Sequence, residues 1–286
     1  MSIGKNVSRR DFIKLTTGAI AAAGVMKIQP AFGQSNIPIA VQLYCVRKEA
    51  AQDLPGALSR LSRMGYQGVE FADYFDRSAK ELRQLLDDNG LKAAGTHIYL
   101  EDMLGDALPA TIEFNQTTGN RNLIVRSLKK SQYENKDAIL KLADTMNGVA
   151  EKLQPHGMRI GYHNHSEIFN RYDGEMAWNI LADNTRKDVI LQLDTGNAME
   201  ASGVEIVDLV RRNPGRTVTT HIKPYSKSNP NAFLGDDELP WKTIINLMET
   251  TAGTEWFIIE YEREGTPPFE ALDANLKRFK QLLGRA

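Results

Sequence analysis

Val189-Ile190-Leu191-Gln192-Leu193-Asp194-Thr195-Gly196-Asn197 reads as a buried strand, rich in branched aliphatics, that runs into an acid and then a turn. Thr-Gly-Asn suits an abrupt strand end, because glycine tolerates positive φ and Asn or Thr side chains bond nearby backbone. A carboxylate at the end of an apolar strand needs a partner, since an isolated buried charge is very costly. Three other stretches end the same way. Met158-Arg159-Ile160-Gly161-Tyr162 runs into His163-Asn164-His165, Thr217-Val218-Thr219-Thr220 into His221, and Trp256-Phe257-Ile258-Ile259 into Glu260. The four ends are expected to meet around one metal ion.

Outward from these strands, apolar runs alternate with amphipathic helical patterns. A first strand is expected over residues 39–44, and a helix over 54–64 with apolar Leu54, Ala57, Leu58, Leu61 and Met64 at three- and four-residue steps. Strands follow at 68–71, at 92–96 ending on His97, and at 122–125. Ser78 and Glu81 have capping-box spacing for a helix that ends near Asn89-Gly90. Further helices are expected at 136–153, 176–182, 204–212, 241–249 and 269–283. Eight strands alternating with about eight helices, with no linker-like break, predict a single (β/α)8 TIM barrel over residues 37–286. An open doubly wound sheet is the rival, weakened because no G-x-G-x-x-G follows the first strand. Residues 99–122 are ambiguous, and the polar loop 224–239 is long enough to serve as a lid.

Composition is that of a globular chain, 42% hydrophobic and 25% charged. A net charge of -1 gives no electrostatic reason for a nucleic-acid partner. Cys45 is the sole cysteine, which excludes an intramolecular disulfide and a thiolate metal cluster. Residues 1–33 read as an export signal: Ser8-Arg9-Arg10-Asp11-Phe12-Ile13-Lys14 precedes a short, weakly apolar run and small residues near Gly33. The paired arginines look like a twin-arginine signal, with the Tat machinery as partner, cleavage near Gly33 and a periplasmic destination. The run is too short for a stable membrane span, for which about 20 apolar residues are needed. An oligomer is left open.

Four of the five histidines, His97, His163, His165 and His221, fall at or just past expected strand ends, the face where barrel active sites occur. His163, Asp194, His221 and Glu260 are separated by 31, 27 and 39 residues, each about one βα unit. Neighbouring strands would thus bring four donors to one point. Two imidazoles and two carboxylates suit Mn²⁺, Zn²⁺, Co²⁺ or Fe²⁺ better than Ca²⁺. The competing reading is a buried salt-bridge and hydrogen-bond network without metal. Glu70 and His97 share the face and could bond a substrate or orient a ligand. His165 and Asn197 are further substrate-binding candidates. Lys223, two residues past His221, points to the same side and could stabilise an oxyanion or pair with an acid. Trp178, Trp241 and Trp256 are candidates for stacking on a ligand ring, Trp256 more simply for packing.

Taken in order, Gln42-x-Tyr44, Gly65-Tyr66-x-Gly68-Val69-Glu70, Ile160-Gly161-Tyr162-His163-Asn164-His165, Leu193-Asp194-Thr195-Gly196-Asn197, His221-Ile222-Lys223 and Trp256-x-Ile258-x-Glu260 resemble the xylose-isomerase-like TIM-barrel superfamily, which includes the sugar phosphate isomerases/epimerases. The resemblance runs from about Ile37 to the C-terminus. It implies a divalent metal, commonly Mn²⁺, held on strands five to eight, with Asp194, His221 and Glu260 matching the last three ligands. It also implies a metal-dependent sugar isomerase or epimerase. The metal binds adjacent oxygens of a keto or aldo sugar, and a carboxylate removes the proton beside the carbonyl to give an enediolate. Two positions depart from the pattern: His163 stands where keto-sugar epimerases usually have a glutamate, and Asn197 where a histidine often follows. That leaves Glu260 as ligand and main base, with Lys223 and His97 as further catalytic candidates. The departures keep open an exported lyase or hydrolase of oxidised glycosides, and a non-catalytic sugar-binding accessory protein. Phosphodiester cleavage is disfavoured, since neither a three-metal donor set nor a basic face is visible.

Overall fold

In a computed structural model, residues 36–285 are described. Eight parallel strands close into a barrel: β1 Ile39–Gln42, β2 Gly68–Phe71, β3 Lys92–Ile98, β4 Asn122–Val125, β5 Arg159–His163, β6 Ile190–Asp194, β7 Thr219–Ile222 and β8 Trp256–Ile259. Each pairs with its sequence neighbours and β8 closes on β1, with Ala40 opposite Ile258. This is a TIM barrel, as the alternation predicts. Outer helices include Leu54–Met64, Ala79–Asp88, Leu108–Thr118, Lys136–Leu153 and Pro268–Leu282. Ser78 and Glu81 form the reciprocal capping box. None of the helices among the described residues is long and apolar enough to cross a membrane. The expected export signal lies outside the described residues.

The ambiguous stretch resolves into short 3-10 turns followed by the helix Leu108–Thr118. The first strand is shorter than expected. It stops at Gln42, whose side chain accepts from the Tyr44 backbone and turns the chain into a 3-10 turn at Leu43–Val46. Loop 224–239 is no lid over the cluster. Leu234 is buried and its backbone N–H donates to Asn275 of the C-terminal helix, while Glu238 ties back to Ser226. The turn after Asp194 also differs. Gly196 does not adopt positive φ; the chain passes directly into the helix Thr195–Glu200, capped by the Asp194 side chain on the Asn197 N–H. Glycine is needed there for space, because a Cβ at Gly196 would lie 2.8 Å from Lys223 Cγ.

Alternate residues of each strand point inward, so the barrel interior is stratified. Two small apolar clusters fill its lower part, Ala40 with Ala94 and Ile258, and Ile124 with Ile190 and Val218. Above them lies a polar layer of Gln42, Glu70, Gln192 and Thr219, joined by hydrogen bonds. The register of β3 slips by one residue between Val69 and Glu70. This bulge leaves Ala94 in the lower cluster yet brings Gly95 and His97 into phase with the layers above it. Gly95 is again a matter of space, since a Cβ there would sit 2.7 Å from Glu70 Oε1.

Candidate metal centre

β5, β6, β7 and β8 deliver His163, Asp194, His221 and Glu260 to one place. One donor atom from each lies within 4.8 Å of the other three, and all four side chains are buried. Asp194 and His221 are direct register partners on β6 and β7. Asp194 is held from two sides. Its backbone N–H donates to Asn164 Oδ1 at 2.8 Å, and Oδ1 accepts from the Asn197 N–H at 2.7 Å. Oδ2 is buried with no hydrogen-bond partner, and the nearest cationic group is His221 Nδ1 at 3.7 Å.

Both ring nitrogens of His221 face carboxylates: Nδ1 is 2.8 Å from Glu260 Oε2, and Nε2 is 2.6 Å from Glu70 Oε2. Burial opposes the charged ring, but Glu70 and Glu260 outweigh it and hold the imidazole well above its ordinary range. His163 goes the other way. Burial, with His221 and His97 beside it, keeps its ring well below the ordinary value and neutral. Its Nδ1 donates to Gln192 Oε1 at 3.0 Å, so the lone pair is on Nε2, where Asn197 Nδ2 makes a long contact at 3.4 Å.

Glu70 lies beneath the cluster, fully buried. Oε1 accepts from Gln192; Oε2 accepts from Gln42 and His221 and stands 3.1 Å from His97 Nε2. Burial works against its charge, yet His97 and His221 hold the carboxyl well below the carboxylate range. Glu70 therefore has no surface open to a substrate hydroxyl. Of the two roles the sequence leaves open for it, the geometry corresponds to orientation of His221. Asn197 is likewise turned inward, onto His163 and the Asn164 carbonyl. His165 differs, being half-buried at the wall of the cavity over the cluster.

Lys223 Nζ donates to Glu260 Oε1 at 2.8 Å and to Glu262 Oε1 at 3.1 Å. Burial opposes its charge, but Glu260 and Asp194 raise its pKa well above the lysine value. Glu260 is correspondingly held well below the carboxylate range by Lys223 and His221, against the cost of burial. The cavity above has a volume of about 250 Å³ and is bordered by Tyr44, His97, Arg126, His165, Glu260 and Glu262. None of the three tryptophans lines it. Trp178 packs against Phe169 and Tyr162, Trp241 donates to Asp237, and Trp256 opens β8 at the opposite end. Stacking is thus excluded for Trp178 and Trp241, while Trp256 packs against the lower barrel cluster, as its place at the start of a strand suggests.

Gln192, absent from the candidates above, sits at the hub. It accepts from His97 Nε2 at 2.8 Å and from His163 Nδ1, and donates to Glu70 and to Thr219 Oγ1 at 2.8 Å. All four of its amide hydrogen-bonding positions are used, which locks both rings. A signal was available: Gln192 is the one polar residue inside an aliphatic run, two positions before Asp194 and so on its side of the strand. Arg126 and Glu262 were also passed over.

A metal fits this donor set. Asp194 Oδ2 is a buried carboxylate oxygen without a partner, costly unless something cationic meets it. His163 presents a neutral ring with its lone pair on the nitrogen away from Gln192, and the Glu70–His221 pair has the form of a carboxylate orienting a ligand histidine. Two nitrogens and two carboxylates converge as a mixed donor set of the kind that suits a divalent metal.

A family profile described as "Xylose isomerase-like TIM barrel" matches residues 58–282. Comparison with curated proteins gives no match. Among solved structures, the fold is similar to a sugar phosphate isomerase/epimerase from Parabacteroides distasonis ATCC 8503, with TM-score 0.72 and 20% identity over 84% of this chain and 96% of that one. The IOLI protein with a bound zinc atom gives 0.67 and 15% identity, over 87% and 98%. D-Psicose 3-epimerase in the presence of D-fructose gives 0.60 and 13%, over 86% and 99%. At these identities the likeness is one of fold.

Proposed function

This chain belongs to the xylose isomerase-like TIM-barrel family, and on that premise we propose that it is a metal-dependent isomerase or epimerase of a keto or aldo sugar. The observation that carries the proposal is the unpartnered Asp194 Oδ2 inside a cluster of four convergent donors. His163, Asp194, His221 and Glu260 would hold the ion, with Mn²⁺ the first expectation. Zinc is bound in one structural neighbour. When bound, such an ion supplies Lewis acidity toward a sugar carbonyl. The chain's own residues do the rest. Gln192 and Glu70 keep the two ligand imidazoles in place. Lys223 holds Glu260 ionised; its ammonium is buried between Glu260 and Glu262, which favours acid pairing over oxyanion stabilisation among its two expected roles. Glu260 is the base for the proton next to the carbonyl, and His97, whose Nε2–H is committed to Gln192, stands at the wall as an acceptor for a sugar hydroxyl. That sugar isomerases and epimerases occur among the structural neighbours supports the same chemistry.

The test is isotope exchange. With metal present, candidate keto sugars and keto glycosides in D₂O should gain deuterium at the carbon beside the carbonyl, and Glu260→Gln should exchange at least ~10²-fold more slowly. No exchange across a broad panel would overturn the proposal; unaltered exchange in the variant would remove Glu260 as base. We also propose export by the twin-arginine route to the periplasm. The Arg9→Lys, Arg10→Lys double variant should then stay cytoplasmic on cell fractionation, and equal periplasmic amounts would refute it.

A further inference from the structure

We propose that the barrel mouth carries a second subsite, beside the metal cavity, that takes a planar apolar substituent on the substrate sugar. It rests on the reading that the metal cavity receives a sugar. The polar cavity over the cluster measures about 250 Å³, below the roughly 300–1,000 Å³ typical of pockets for larger ligands. A groove of about 610 Å³ adjoins it, and Ala72, His97 and Arg126 border both. One molecule can therefore lie across the two.

The groove is the more apolar of the two, with Asp73, Arg77 and Asp102 at its border. Its walls are the end of β3 and the helix Leu108–Thr118, which contribute Ile98, Tyr99 and Phe114, with Tyr74 packed on Phe114 at a ring separation of 4.3 Å. Tyr99 is 52% exposed, one of two large hydrophobic side chains in that state among the described residues. The Arg126 guanidinium lies 5.1 Å from its ring centre, so a flat cation and a flat phenol stand together at the junction. An exposed aromatic wall continuous with a polar site is the arrangement that binds a ring by stacking. The facing loop is strained: Phe75 and Asp76, consecutive non-glycine residues, have φ of 53° and 55°. Such conformations concentrate where a binding surface must be held in one shape. Asp76 borders this groove, and Phe75 an adjoining cavity that Arg126 also reaches.

The experiment compares matched methyl and 4-nitrophenyl keto glycosides of the glucose, galactose, mannose and xylose series, each keeping a free ring carbonyl, by calorimetry, on the full folded protein with and without Mn²⁺. The best aryl glycoside should bind at least tenfold more tightly than its methyl partner, and saturation-transfer NMR should place the aryl ring against protein. Tyr99→Ala, at an exposed position, should shrink the gap to about twofold without weakening the methyl glycoside. Ala110→Trp, on the groove side of the helix Leu108–Thr118, should abolish it by filling the space. Equal affinities in wild type, a gap that survives both variants, or no binding of any glycoside would overturn the subsite. Wild-type protein that fails to bind Mn²⁺ would instead defeat the metal reading, while the aryl-to-methyl comparison on metal-free protein still decides the groove.

Discussion

The lower and upper halves of the barrel are made by the same eight strands and solve opposite problems. Below, Ala40, Ala94 and Ile258, and Ile124, Ile190 and Val218, bury apolar surface with nothing left unpaired. Above, the same inward positions carry Glu70, His97, His163, Asp194, His221 and Glu260, charged or polar groups crowded out of water. Of the two, only the first adds stability by apolar burial, at about 25 cal/mol per Å². The second is costly and tolerated because its groups partner one another, all but Asp194 Oδ2. The difference teaches that a single strand can hold packing at one end and chemistry at the other, since each layer answers only to its own neighbours.

Substitutions can separate the halves. The largest effect is expected from Asp194→Asn, which keeps the helix cap but removes the unpartnered carboxylate oxygen. Metal affinity should fall by more than the ~10–100-fold typical of an outer partner, and metal-free stability should hold or rise. Calorimetric titration with Mn²⁺ or Zn²⁺ checks both, and unchanged affinity would remove Asp194 from the ligand set. Next comes Gln192→Leu. With His163 and His97 no longer fixed, affinity should drop about 10–100-fold, and the Co²⁺ absorption spectrum should change shape. An unaltered spectrum and affinity would make Gln192 purely structural. In the lower half, Ile258→Ala should cost about 2–5 kcal/mol of stability by denaturant unfolding and leave metal affinity as it was.

The smallest effect is in pH. His163 is held neutral, so its contribution to stability is present above its ordinary value of 6.5 and is lost as pH falls through its depressed one. His221 is held charged, so its contribution is complete below 6.5 and is lost as pH rises through its raised value. Glu70 and Glu260 contribute above 4.5 and lose that as pH falls through their lowered values. The metal-free protein should therefore have its highest Tm near pH 6.5 in scanning calorimetry. Saturating Mn²⁺ should flatten the alkaline decline, because the ion takes over the charge that the His221 proton supplies. Ile258→Ala should lower the whole curve without moving its maximum; a moved maximum would show that the halves are coupled.

Much of this was legible in the chain. Apolar runs at regular intervals specify strands that need helices packed outside them, and the one-unit spacing of His163, Asp194, His221 and Glu260 brings adjacent strand ends together whatever the loops do. These are local properties, set by periodicity and by the length of a βα unit. Four matters required the closed barrel. A one-residue slip between β2 and β3 decides that His97 faces inward, and no pattern in residues 92–98 announces it. Gln192 becomes a hub only because β3, β5 and β7 bring His97, His163 and Thr219 to it. Gly196 owes its place to the Lys223 side chain from the next strand and not to a turn. The tryptophans, open to stacking by their residue type, are placed away from the mouth by packing. Each depends on contacts between residues distant in sequence, and such contacts exist only once the sheet has closed.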